Sequence, residues 1–201
     1  MSRLLAGLIA SLVLLVGCSP EQTSSMDVPA ESSVAFGTLP ELEFTDSTGE
    51  LLSPARLKGS VWALSLVSTS LPGPNRTFLK RLLEVQQILG GSDTRIVSLS
   101  VDPLGDTPES LAALGETHGA SPDFWFFWLG SEAHTALLIH QAFRNAIVGM
   151  NDARMGEFMV GAFEPRVVAI DREGRIRGAY NLLSDDGPEL LLSRLRQLAT
   201  E

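Results

Sequence analysis

The chain holds one cysteine, Cys18, and three histidines, His118, His134 and His140, so nucleophilic and soft-metal chemistry have few places to reside. The segment shaped for such chemistry is residues 67–77, Val-Ser-Thr-Ser-Leu-Pro-Gly-Pro-Asn-Arg-Thr. It lies between an apolar, strand-like run over 61–67 and a helix-like run over 78–89. A turn rich in Pro and Gly at that place can present thiols at a helix start, where the backbone dipole favours thiolate. This turn has no thiol. A single cysteine also excludes an intramolecular disulfide, a cysteine-based zinc site and a thiol–disulfide cycle within the chain.

Other residues suggest chemistry more weakly. Trp125, Phe126, Phe127 and Trp128 invite a ligand-binding reading, but on a strand they alternate between faces and read as core under helices on both sides. Asp102, Asp106 and Glu109 suggest a hard-metal site, but turn and cap duties explain them better. His118, near a helix end, reads as a cap or a favourable C-terminal charge. No Ser-His-Asp arrangement, phosphate loop or HExxH pattern is present.

The elements that must position these residues follow from hydrophobic period. Residues 42–46 alternate apolar and polar and turn at 47–50, a hairpin signal. A buried strand is expected over 61–67, a helix over 78–89 stopped by Gly90-Gly91, and a second core strand over 95–101. Thr107 is a helix N-cap with Pro108 at the first helical position, and that helix runs to about His118. An aromatic strand over 124–129 and a helix over 133–143 come next. A strand over 167–171 and its hairpin partner over 175–180 follow. A closing helix spans 188–198. Alternating strands and helices predict an α/β fold around a central sheet.

The 201 residues suffice for one domain and a targeting segment, and 44% hydrophobic with 19% charged residues suits a globular protein. The formal charge of −9 argues against nucleic acid as a partner, and losing Arg3 with a leader takes it to about −10. Residues 1–17 read as a lipoprotein signal peptide. A positive start and an apolar run over 4–16 end in Leu15-Val16-Gly17-Cys18, the bacterial lipobox pattern. Cys18 is then the lipidated N-terminus, and several acyl chains on it anchor stably. Ser19 after Cys18 leans toward the outer membrane. Residues 18–35 form this lipidated start and a flexible tether rich in Ser, Pro, Glu and Thr. Residues 36–201 are the folded domain.

Several segments together resemble the Sco/SenC family, the membrane-tethered copper chaperones of cytochrome c oxidase assembly. They are the opening Leu42-Glu43-Phe44-Thr45-Asp46-Ser47-Thr48-Gly49, the Leu57-Lys58-Gly59 before the first core strand, and Thr69-Ser70-Leu71-Pro72. Ser100-Val101-Asp102-Pro103 with Asp106-Thr107-Pro108-Glu109 is the most recognisable run. Trp125-Phe126-Phe127 with Gly130, and Ile170-Asp171-Arg172-Glu173-Gly174, complete the set. The resemblance covers about residues 36–199. It implies a thioredoxin-like fold, with a central mixed β-sheet flanked by helices and an N-terminal β-hairpin. It also implies a place in the bacterial cell envelope, with the domain facing the periplasm from the inner or outer membrane.

The functional positions depart from the family. Its members bind copper with Cys-x-x-x-Cys and a distant His. Counting from Thr69-Ser70 puts the cysteines at Leu71 and Asn75, and counting back from Gly174 puts the histidine at Phe163. Cu(I) prefers thiolates and Cu(II) prefers imidazole, so neither state finds its ligands there. Peroxidase chemistry on the same fold needs a thiol or selenol and is excluded with it. The resemblance also aligns Pro165 with a cis-proline that faces the active site in related thiol reductases.

Three functional readings follow. The first is a lipid-anchored binding or assembly factor without a copper or redox site, neither enzyme nor cofactor protein, contacting the membrane through Cys18 and an envelope protein partner. The second is a metallochaperone whose site has moved to Met150, Met155 and Met159, because thioethers bind Cu(I) where thiols are oxidised. His134 and His140 would have to help, yet six residues separate them by about 600° of helix rotation. The third is a non-thiol enzyme in the cleft near Leu71, Asn75 and Phe163.

Overall fold

The computed structural model describes residues 35–70, 74–144 and 165–201. Cys18, Leu71, Met150, Met155, Met159 and Phe163 lie outside them.

Seven strands form one sheet: β1 (Phe44–Asp46), β2 (Leu51–Leu52), β3 (Trp62–Val67), β4 (Arg95–Ser100), β5 (Trp125–Gly130), β6 (Arg166–Ile170) and β7 (Ile176–Asn181). Their spatial order is β2-β1-β5-β4-β3-β6-β7. The central β3, β4 and β5 are parallel, and the pairs β1–β2, β1–β5, β3–β6 and β6–β7 are antiparallel. The parallel connections are made by helices α1 (Pro74–Leu89) and α2 (Pro108–Thr117). Helix α3 (Glu132–Ile139) follows β5 and continues as a π-helical turn, His140–Arg144. Helix α4 (Gly187–Thr200) closes the chain.

Strand alternation divides the core into two layers. Ala63, Ile96, Trp125, Phe127, Val167 and Ala169 face one side. There they meet Phe78, Leu79, Leu82 and Val85 of α1, Leu111 of α2, and Leu191 and Leu195 of α4. Trp62, Leu64, Leu66, Val97, Leu99, Trp128 and Val168 face the other and pack on Leu138, Ile139, Ala142 and Phe143. The 125–128 run does alternate. Trp125 stacks on Phe127 with centroids 5.4 Å apart, while Trp128 stacks on Phe44, also at 5.4 Å. A buried serine satisfies the indole: Trp125 Nε1 donates to Ser98 Oγ at 2.8 Å.

Helix α1 begins at Pro74, four residues before the apolar pattern. Its first turn, Pro-Asn-Arg-Thr, carries no Leu, Ile, Val or Phe, so hydrophobic period cannot register it. Proline is nevertheless well suited to the first helical position. Helix α2 matches its expected start: Thr107 Oγ1 accepts from Ser110 N at 3.2 Å and Ser110 Oγ accepts from Thr107 N at 2.9 Å.

Candidate functional site

The site region lies at the C-terminal ends of β3 and β4, where an α/β sheet places its ligands. Two loops meet there. The β3–α1 loop contains Ser68, Thr69 and Ser70 and leads into Asn75. The β4–α2 loop carries Asp102 through Thr107.

Asp106 joins them. It is only 4% exposed. Thr69 N donates to Asp106 Oδ1 at 3.1 Å, the Thr69 hydroxyl donates to the same oxygen, and Ser100 Oγ donates to Oδ2 at 2.6 Å. Asp102 shapes its own turn. Its Oδ1 accepts from Gly105 N at 3.0 Å, and its backbone oxygen accepts from Asp106 N at 2.9 Å. Its Oδ2 receives the Ser70 hydroxyl at 3.4 Å. A Cβ on Gly105 would crowd the Asp102 carboxylate and displace it from its present bonds. The carboxylates are therefore occupied by hydroxyl and amide donors, as the turn-and-cap reading expects. Among the described residues no three His, Cys, Asp or Glu side chains gather to hold a metal. Glu109 is exposed in the first turn of α2. Its carboxyl is held below the usual range by its own backbone N–H and then by the Thr107 hydroxyl.

Asn75 is buried at 4% exposure and serves the loop. Its Nδ2 donates to the Ser68 carbonyl at 2.8 Å. Swapping the amide would set oxygen against oxygen, so the orientation follows from chemistry. Oδ1 is buried and accepts no hydrogen bond among the described residues. It is the one donor atom the side chain could offer a metal, and it is a hard, neutral oxygen unsuited to Cu(I).

Pro165 belongs to the same end. Leu64 lies opposite Val168 in the β3–β6 pair, and the register carried on puts Pro165 level with Val67. Its carbonyl accepts from Leu182 N at 3.0 Å. The Glu164–Pro165 bond involves a residue outside the described ones. The structure thus brings Thr69, Asn75, Asp102, Asp106 and Pro165 to one end of the sheet. Leu71 and Phe163 lie outside the described residues.

The histidines do other work. His134 Nδ1 lies 2.9 Å from the Glu43 carbonyl oxygen, tying α3 to β1, and Ser131 caps that helix through His134 N. His118 is the C-cap of α2. Burial first, then Arg76 and Lys80, push its pKa below the ordinary imidazole value. The cap reading stands, and burial together with the two cations disfavours the charged ring. An open cleft of about 540 Å³ lies at the opposite end of the sheet, among Gln86, Gly91, Asp93, Arg95, Ser121 and Phe124. Gln86 bridges that cleft, donating to Gly119 O at 3.1 Å and accepting from Ser121 N at 2.8 Å.

Sequence reasoning treated Asp106 as a turn residue and missed its contact with Thr69. It also read Asn75 as an emptied ligand position and missed its bond to Ser68. The available signal was Ser100 and Asp106 flanking a strand end, opposite a Thr-Ser pair at another strand end.

A parallel three-strand centre with an antiparallel hairpin at each side, and a loop site at its C-terminal end, defines a thioredoxin-like protein. The model of the SCO1/SenC family matches residues 32–200, and the chain belongs to that family. A SCO1 protein homolog of Bacillus subtilis (strain 168) is 24% identical over 196 residues, which is 94% of this chain and 86% of the relative. A crystal structure of a SCO1/SenC family lipoprotein from Bacillus anthracis str. Ames superposes with a TM-score of 0.68 at 21% identity. It covers 81% of this chain and 95% of that one. Copper-bound ScoI of Bradyrhizobium japonicum gives a TM-score of 0.60 at 22% identity, covering 80% of this chain and 99% of that one.

Proposed function

We propose that this chain is a lipid-anchored SCO1/SenC protein that has lost the family's copper and redox site and acts as a binding or assembly factor in the bacterial cell envelope. The observation that carries the reading is Asn75. At a family cysteine position the chain has a buried amide, already committed to the Ser68 carbonyl. The surrounding frame is complete, since Asp106 still clamps Thr69 and Ser100. A frame kept without thiols suits protein contact rather than electron transfer. The Asp102 turn also holds Leu104 at its tip, 81% exposed, as a rigid apolar contact at the rim. Lipid anchoring rests on the Leu15-Val16-Gly17-Cys18 pattern. It is supported by the B. anthracis relative being a lipoprotein. Copper handling or oxidase assembly is the process in which such a factor would work, by family membership.

Copper titration of the full chain tests this. The wild type is expected to bind neither Cu(I) nor Cu(II) stoichiometrically against a competing chelator. The variant Leu71→Cys, Asn75→Cys, Phe163→His is expected to bind one copper. Tight, stoichiometric binding by the wild type would overturn the proposal. If that binding vanished on replacing Met150, Met155 and Met159 by Leu, the moved thioether site would take its place.

A further inference from the structure

Against a formal charge of −9, one seam of the surface is basic. Arg76 and Lys80 lie four apart on α1, both exposed, so they share one helix face. Neither makes a salt bridge among the described residues, whereas the next cation, Arg81, pairs with Glu84 at 3.0 Å. The end of α2 docks against the same helix. Gln86 of α1 donates to Gly119 O at 3.1 Å, and a Cβ on Gly119 would lie 3.7 Å from Leu83. That docking sets His118, the half-buried cap of α2, against α1 and within electrostatic reach of Arg76 and Lys80. The seam starts at Arg76, next to Asn75, and so runs down from the candidate site.

We infer that Arg76, Lys80 and His118 form a docking seam between α1 and α2 for an acidic segment of a partner protein. Burial first, then Arg76 and Lys80, depress the His118 pKa, and the nearest carboxylate on α1, Glu84, is engaged by Arg81. Holding like charges together is unfavourable until an anion arrives, so the seam is complementary to carboxylates. Nucleic acid does not fit a chain this acidic. An anionic bilayer fits poorly as well, because membrane-binding patches gather about four to eight Lys or Arg and this seam has two. Two or three charge-assisted bonds to Asp or Glu side chains match its size. The inference extends the binding reading above and rests on it only in requiring a protein partner.

Hexaglutamate is the probe, titrated into the full chain in neutral detergent at low salt, with the His118 ring protons followed by NMR. Saturable binding is expected, with a raised His118 pKa in the complex and affinity falling several-fold between 50 and 200 mM salt. Arg76→Gln with Lys80→Gln is expected to weaken binding at least tenfold and leave the melting temperature within a few degrees, since both side chains are exposed. Equal binding by this variant, or no binding by wild type, overturns the inference. So does an identical response to inorganic phosphate, which would mark a small-anion site, or binding confined to phosphatidylglycerol vesicles. Copper binding by the wild type would overturn the proposed function and leave these outcomes unchanged.

Discussion

Asp106 shows how much one carboxylate can organise. Its two oxygens take three donors, two from Thr69 in the β3–α1 loop, 37 positions earlier, and one from Ser100 at the end of β4. Removing the carboxylate leaves a backbone N–H and two hydroxyls to find new partners in a nearly closed space. Asp106→Ala is expected to cost about 2–4 kcal/mol in urea unfolding, and Ser100→Ala, which removes one donor, about 1 kcal/mol. Equal effects of the two would mean that the Thr69 contacts contribute nothing. Asn75 makes the same point in a neutral group. Its amide holds the loop through Ser68, so a residue that resembles a deleted ligand is structural in its own right.

At the scale of elements, α2 illustrates propensity against packing. Gly115 lies inside this helix, where alanine is favoured by about 1 kcal/mol. A Cβ there would lie 2.8 Å from Phe127 Cε2, on a ring stacked against Trp125. Overpacking of that kind costs about 1–3 kcal/mol. Gly115→Ala is therefore expected to lower stability in thermal melts despite its better helix propensity; a higher melting temperature would show that Phe127 yields freely. The helix approaches the sheet closely because Gly115 has no side chain. That approach sets where Thr107 caps one end and His118 the other.

Across the whole molecule, a buried ion network joins distant chain segments. Asp171 follows β6, and Arg177 of β7 donates to its Oδ2 at 2.9 Å and to Glu201 Oε2, just past the end of α4, at 3.0 Å. Burial would raise the Asp171 pKa. Hydrogen bonds from the Arg177 side chain and from the Arg175 backbone and side chain more than offset it and hold the carboxyl below its ordinary value. A carboxyl depressed on folding adds stability above its unfolded pKa, near 4, and loses it as pH falls through the folded value. Arg177→Met removes one of the two guanidinium partners of Asp171 and leaves Arg175 in place, and a loss of about 1.5–3 kcal/mol is expected at pH 7. The penalty should shrink below about pH 4, as Asp171 protonates. A pH-independent penalty would point to lost packing instead.

The amino-acid sequence alone determined the broad architecture, because burial leaves a periodic trace. Alternation in Trp125 to Trp128, the β-hairpin before the first core strand, and the Thr107-Pro108 helix start were all readable locally. So was the absence of thiols at residues 71 and 75, since it needs only a motif and a count. Tertiary structure decided which polar groups meet. Thr69 reaches Asp106 because parallel pairing of β3 and β4 brings their C-terminal ends side by side. Arg76 and Lys80 come within electrostatic reach of His118 because α1 and α2 cover the same face of the sheet. Hydrophobic period reports that a side chain is buried or exposed, but a hydrogen bond or charge contact depends on topology. Residues dozens of positions apart become neighbours only when the sheet order is set.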